Sequence, residues 1–294
     1  DLVFPFFMFI MGISTYISLK KYNFEFSHAA GMKILKRTIV IFLIGMAIGW
    51  FSRFCYYWAS APDDLSFGEK LWASGVMQRL ALCYGAASII ALTMKHKHIP
   101  YLIAGLLTGY FILLMCGNGF AYNETNILSV VDRAILTPAH MYKDNGIDPE
   151  GLLSTIPAIA HVLLGFCVGR LMLDGNKSED RASFLNSQLI TLFLVGVILT
   201  FSGFLLSYGC PINKKIWSPT YVLVTCGLAS SFLALLIWII DVKGYKKWSM
   251  FFEAFGVNPL FMYVLGGVLS ILFGSISFPW GNSSISIHGF LYNI

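Results

Sequence analysis

The sequence predicts an all-α fold, a polytopic transmembrane bundle of eight spanning helices. Three observations carry this reading. The 294 residues are 57% hydrophobic and only 12% charged, where a soluble domain carries about 25% charge. Apolar residues collect into runs that suit a hydrocarbon core of about 30 Å, which takes roughly 20 residues of helix to cross. Lys and Arg gather in alternate loops, the signature of a chain threaded back and forth through a bilayer.

The runs fall at about 2–19, 38–52, 72–94, 100–116, 152–172, 188–208, 219–240 and 257–274. The first opens directly on DLVFPFFMFIMG, with no polar lead-in and no A-x-A-type cleavage site, so the chain reads as a fragment at this end. At the other end, SISIHGFLYNI stops as hydrophobicity rises again, which suggests a further span. The second run is short and needs its basic flank, Lys33 to Arg37, to snorkel toward the headgroups. The third carries SGVMQRLALCY and so brings a cation two to three turns into a span. Between the fourth and fifth runs lies a loop over 117–150, long by ordinary standards. One transmembrane domain over 1–294 accommodates all of this.

Assigning alternate loops to opposite sides gives net charges of +7 and −3, with Arg79 left inside the bilayer, and these reproduce the total of +5. The basic side is cytoplasmic by the positive-inside rule, so Asp1 and the loop over 117–150 face outward. The basic balance therefore belongs to topology, and no groove of interleaved basic and aromatic residues points to nucleic acid. Six scattered cysteines form no C-x-x-C and no His/Cys pairing at zinc spacing, so no metal is expected. Phosphate-binding glycine loops and a G-x-S-x-G elbow are also absent from the sequence.

Polar chemistry beyond the needs of packing is concentrated at a few outward places. Gln78 and Arg79 are the strongest pointer, because a guanidinium inside a span costs at least about 2.5 kcal/mol and must face a partner or a wet cavity. The loop contributes Asp132, Arg133, His140, Tyr142, Asp148 and Glu150, with Pro149 placed to open the next helix. PINKKIWSPTY supplies Asn213, Lys214 and Trp217 just outside the seventh run. Competing bland readings exist for several of these. Asp148 and Glu150 suit a helix start, Trp217 and Trp280 suit an interfacial aromatic belt, and Asn258 suits an N-cap before a ligand contact. His161, in mid-span, is either a functional group or one half of an interhelical hydrogen bond.

Five segments in this order, DLVFPFFMFIMG, GVMQRLALCY, VDRAILTPAHMYKDNGIDPEGLLSTIPAI, PINKKIWSPTYVLVTCG and FGVNPLFMYVL, resemble the heparan-alpha-glucosaminide N-acetyltransferase family of transmembrane acyltransferases and its bacterial relatives. The resemblance implies acetyl transfer from cytoplasmic acetyl-CoA to the amine of a glucosamine-type sugar or glycan on the outer side, in a bacterial inner (plasma) membrane. It also implies that the family's active histidine lies upstream of DLVFP, so the chain as written is expected to be inactive. With that reaction in view, Asp148 or Glu150 is the candidate base, and Gln78, Arg79, Asn213 or Lys214 the candidate oxyanion donors. Asp132, Arg133, His140, Tyr142, Trp217 and Asn258 complete the expected substrate contacts. Membrane lipid is an expected partner and a homodimer is left open. The alternative is a sugar permease without acyl transfer, which would be expected to show inverted repeats and broken midplane helices.

Overall fold

The computed structural model describes residues 2–60, 75–137, 140, 141, 146–174, 181–280 and 283–292. Asp1 and Tyr142 lie outside them, as does the expected start of the third run. Helices α1 (Val3–Lys20), α2 (His28–Ser60), α3 (Val76–Thr93), α4 (Ile99–Cys116), α5 (Ile127–Leu136), α6 (Thr155–Leu173), α7 (Arg181–Leu206) and α8 (Pro219–Ile237) follow in chain order. After them come α9 (Ser249–Gly256), α10 (Pro259–Ser275), a hairpin of β1 (Ser277–Trp280) and β2 (Ser283–Ser286), and α11 (Ile287–Tyr292). Seven helices are long and apolar enough to cross a membrane, and an eighth span results if α9 and α10, bent by 85°, are taken together. The fold is an all-α polytopic helix bundle.

Three local expectations are corrected. The second helix begins at His28, ten residues before the apolar run, so Lys33, Lys36 and Arg37 are helical rather than loop; their long stems can lie along apolar surface while the charges stay wet. The segment 117–150 contains α5, hidden from a search for spans because it has only 10 residues. Its buried face is Leu128, Ser129, Asp132 and Leu136, at helical spacing, and Asn126 caps it by accepting from the Leu128 N–H at 2.9 Å. Finally, α3 starts at Val76, which puts Arg79 in its first turn rather than two to three turns in.

The chain divides into two compact units. The larger comprises 1–42 and 74–245. Within it α1 and α6 cross closely, because Gly12 lies against the Val162 carbonyl and Gly165 against the Phe9 carbonyl, positions where a Cβ would strike backbone. Alternate helices start at one end: Phe4 of α1 meets Trp217, which precedes α8, at 5.2 Å between ring centroids, and Arg79 of α3 meets Ser154, which precedes α6. At the opposite end Lys20 donates to Asp174 at 3.1 Å, and His96 packs edge-on against Phe24 and Phe166 at 4.4 and 5.2 Å. Met8, Phe9, Tyr16, Leu163 and Phe166 fill the space between.

The smaller unit comprises 43–73 and 246–294. Here Asn258 takes the first of its two expected roles, capping α10 by accepting from the Phe261 N–H at 3.3 Å. The hairpin pairs Ser277 with Ser286 and Trp280 with Ser283. Trp280 packs against Phe290 with centroids 5.1 Å apart and stays largely exposed, as a belt aromatic would.

Candidate functional site

The site is built on a carbonyl. The DPEG turn before α6 is closed by Asp148, whose Oδ1 accepts from the Glu150 N–H at 2.9 Å. It leaves the Gly151 carbonyl facing the bundle. Three groups donate to that oxygen, each at 3.1 Å: Arg79 Nη2, Ser154 Oγ and Thr155 Oγ1. Arg79 Nη2 also donates to Ser154 Oγ. The guanidinium is 1% exposed and its carbon sits 5.1 Å from the Trp217 ring centroid, a desolvated cation–π contact. Its Nε and Nη1 have no partner among the described residues. Nη2 is thus anchored to protein while Nε and Nη1 stay unmet among the described residues, in an interior where buried donors are nearly always paired.

Trp217 is corrected from belt residue to buried residue. It is 1% exposed, lies edge-on to Phe4 and Tyr221 at 5.2 Å each, and its indole N–H has no partner among the described residues. Its φ of +50° is rare for so bulky a side chain and is imposed by its loop. The Ser218 N–H donates to the Asn213 carbonyl at 3.0 Å, the Lys215 N–H to Asn213 Oδ1 at 2.8 Å, and Tyr110 Oη of α4 to the Ile216 carbonyl at 2.6 Å. Asn213 therefore spends its side chain on the turn that aims Trp217 inward.

Behind the DPEG turn stands Asp132 of α5, fully buried. Its Oδ1 accepts from the Leu152 and Leu153 N–H groups at 3.0 and 3.2 Å, and its Oδ2 has no partner among the described residues. Gly151 is required here, since a Cβ would collide with the Asp132 carboxylate. Burial pushes this carboxyl up to about 6, with the Asp148 charge adding and the two N–H groups and Arg79 opposing. Burial also raises Glu150, again with Asp148 adding, while Arg79 and Lys214 pull the other way. Asp148, Glu150, Asp132, Lys214 and Arg79 thus form one electrostatic group.

A raised folded value means that Asp132 contributes stability that is fully present below its ordinary value of 3.8 and is lost as pH climbs through about 6. Wild-type protein in detergent should lose on the order of 3 kcal/mol from this group between pH 4 and pH 7. Asp132→Asn should flatten that part of the profile. Parallel unfolding curves for the two proteins would contradict the assignment.

Other expected residues make local contacts. Arg133 pairs with Glu124 at 2.5 Å on the surface, which depresses the Glu124 carboxyl. His140 Nδ1 closes the end of α5, 2.8 Å from Thr137 Oγ1 and 3.0 Å from the Leu136 carbonyl. The Gln78 amide lies beside Gly75, half-buried. Ser154, Thr155 and Tyr110 went unread in the sequence, since hydroxyls in apolar helices carry no pattern of their own; the specific DPEG element was the signal nearest to them. His161 is fully buried and beside Trp217, with centroids 5.9 Å apart. The Pro5 backbone is its polar neighbour, yet neither ring nitrogen reaches hydrogen-bond geometry with a partner.

No family model matches the chain. Among curated proteins it is 26% identical to heparan-alpha-glucosaminide N-acetyltransferase of Homo sapiens over 90% of its length and 46% of that protein's. It is 26% identical to the Mus musculus protein of the same name over 95% of its length and 49% of that protein's. The chain spans about half the length of the curated relatives it matches. These similarities support a family-level relationship between this chain and the heparan-alpha-glucosaminide N-acetyltransferases.

Proposed function

We propose that the protein is a membrane acetyltransferase that moves an acetyl group from acetyl-CoA to the amine of a glucosamine-type sugar. The observation that carries the reading is the half-satisfied Arg79: Nη2 is held by Gly151 and Ser154, while Nε and Nη1 are unmet among the described residues, in a guanidinium 5.1 Å from the Trp217 ring centroid. Such donors suit the oxygen of a thioester carbonyl and the negative charge that grows on it during amine attack. The relatives' name supports the reaction class, and the charge asymmetry along the chain is compatible with a cytoplasmic donor and an outer acceptor. The loop side carries carboxylates that suit a cationic amino sugar, and the basic side suits the phosphates of CoA.

An amino sugar arrives as an ammonium and must lose a proton before it can attack. Glu150, half-buried and in the electrostatic field of Arg79 and Lys214, is the base, and Asp148 holds the turn that presents it. With its pKa raised, Glu150 takes the proton more readily than an exposed carboxylate, and the rate rises with pH as the carboxylate form fills. Glu150→Gln should lower kcat by about 100-fold, within the range for general bases, and remove that limb of the profile. Acetyl-CoA affinity should change little. The check is acetylated sugar measured by mass spectrometry across pH with full-length protein in vesicles; an unaltered profile contradicts the role.

A further inference from the structure

The proposed transfer moves two protons, and Glu150 accounts for one. After the amine attacks the thioester carbonyl, its nitrogen still carries a proton that must leave before the C–N bond becomes an amide, and the departing CoA thiolate needs one. His161 is placed for that exchange. Two turns into α6, it lies roughly 9 Å along the helix below Thr155, deeper than the DPEG turn and away from the amine's side of entry. Its imidazole and the Arg79 guanidinium both flank Trp217, at 5.9 and 5.1 Å. Buried polar atoms are rarely left unpaired, and here five converge around one indole: Arg79 Nε and Nη1, Trp217 Nε1, and both nitrogens of His161. The Pro5 carbonyl of α1 is a polar neighbour of the ring, but no hydrogen bond of ordinary geometry joins the two.

Among the described residues no titratable side chain hydrogen-bonds either ring nitrogen. Arg79 and Tyr221 flank the same indole, and Cys226 of α8 places its Sγ 4.0 Å from the His161 backbone carbonyl. α1 presents Phe4 and Pro5, which carry no charge.

We propose that His161 is a further catalytic residue, the carrier of the second proton; this rests on the acetyl-transfer reading above. The amine nitrogen bonds to the carbonyl carbon and the oxygen takes the electron pair beside Arg79. Neutral His161 accepts the remaining N–H proton. The oxygen's pair then re-forms the carbonyl as the C–S bond breaks, and the imidazolium returns its proton to the thiolate. Amide and free thiol result, and His161 is neutral again.

The experiment compares His161→Gln and His161→Met with wild type in full-length protein, reading folding, the melting shift with acetyl-CoA, and kcat and KM for a glucosamine acceptor against pH. Glutamine can hydrogen-bond but cannot carry a proton. Expected is a folded His161→Gln protein with the wild-type melting shift, kcat lower by about 100-fold or more, KM within about threefold, an altered pH profile and partial rescue by added imidazole. Equal kcat and profile in His161→Gln overturn the inference while leaving acetyl transfer standing. Loss in both variants only in step with lost folding assigns the histidine to structure and overturns it too. No transfer by wild type removes the underlying reading, and the inference with it.

Discussion

Arg79→Leu is expected to abolish acetyl transfer while leaving a folded protein. The change removes the two unmet nitrogens of a guanidinium packed against Trp217, and loss of a single preorganised oxyanion donor already costs about 100- to 1,000-fold. Folding should survive for two reasons. The Gly151 carbonyl keeps Ser154 Oγ and Thr155 Oγ1 as donors after the guanidinium is gone, so no buried acceptor is orphaned. Leucine also removes the desolvation cost of a charge inside the bundle. Gel-filtration profile, melting midpoint and acetylated product together read the outcome. Retained activity would make the buried charge a structural element only.

Gly151→Ala should damage both stability and activity, although it adds one methyl group. That methyl would occupy the space of the Asp132 carboxylate, and neither partner can yield easily. Asp132 Oδ1 holds the Leu152 and Leu153 N–H groups, and the Gly151 carbonyl holds Arg79. Overpacking of this kind costs about 1–3 kcal/mol, and the turn can relax only by moving the carbonyl that positions the guanidinium. Transfer should fall by about 100-fold or more, as misplacement of a catalytic group implies. Asp132→Ala in the same protein opens the space, so the double variant should be more stable than the sum of the two single changes predicts. Simple additivity would show that the two residues do not compete for the same volume.

The spans were legible because lipid demands long apolar helices, and nothing in a sequence is easier to see than that demand. The start of α2 and the whole of α5 were not, since Lys33, Lys36 and Arg37 conceal one and brevity conceals the other. Arg79 stood out because its burial is costly wherever it lies, and the acidic turn at Asp148 and Glu150 stood out by its spacing. Trp217 was misjudged as a belt residue because a tryptophan at a helix start usually sits at the interface. Its inward aim depends on a positive φ, on hydrogen bonds that Asn213 accepts from Ser218 and Lys215, and on the one Tyr110 donates to Ile216, which periodicity cannot reveal. Arg133 and His140 were grouped with the site by proximity in sequence, yet each found a local partner first, Glu124 and the end of α5.

A structure of the full-length protein with acetyl-CoA bound examines the site most directly. The acetyl carbonyl oxygen should lie about 3 Å from Arg79 Nε or Nη1, with Trp217 against the acyl group and Glu150 on the side from which the amine enters. An acyl group bound elsewhere, with the unmet edge of Arg79 still facing only protein, would contradict the account.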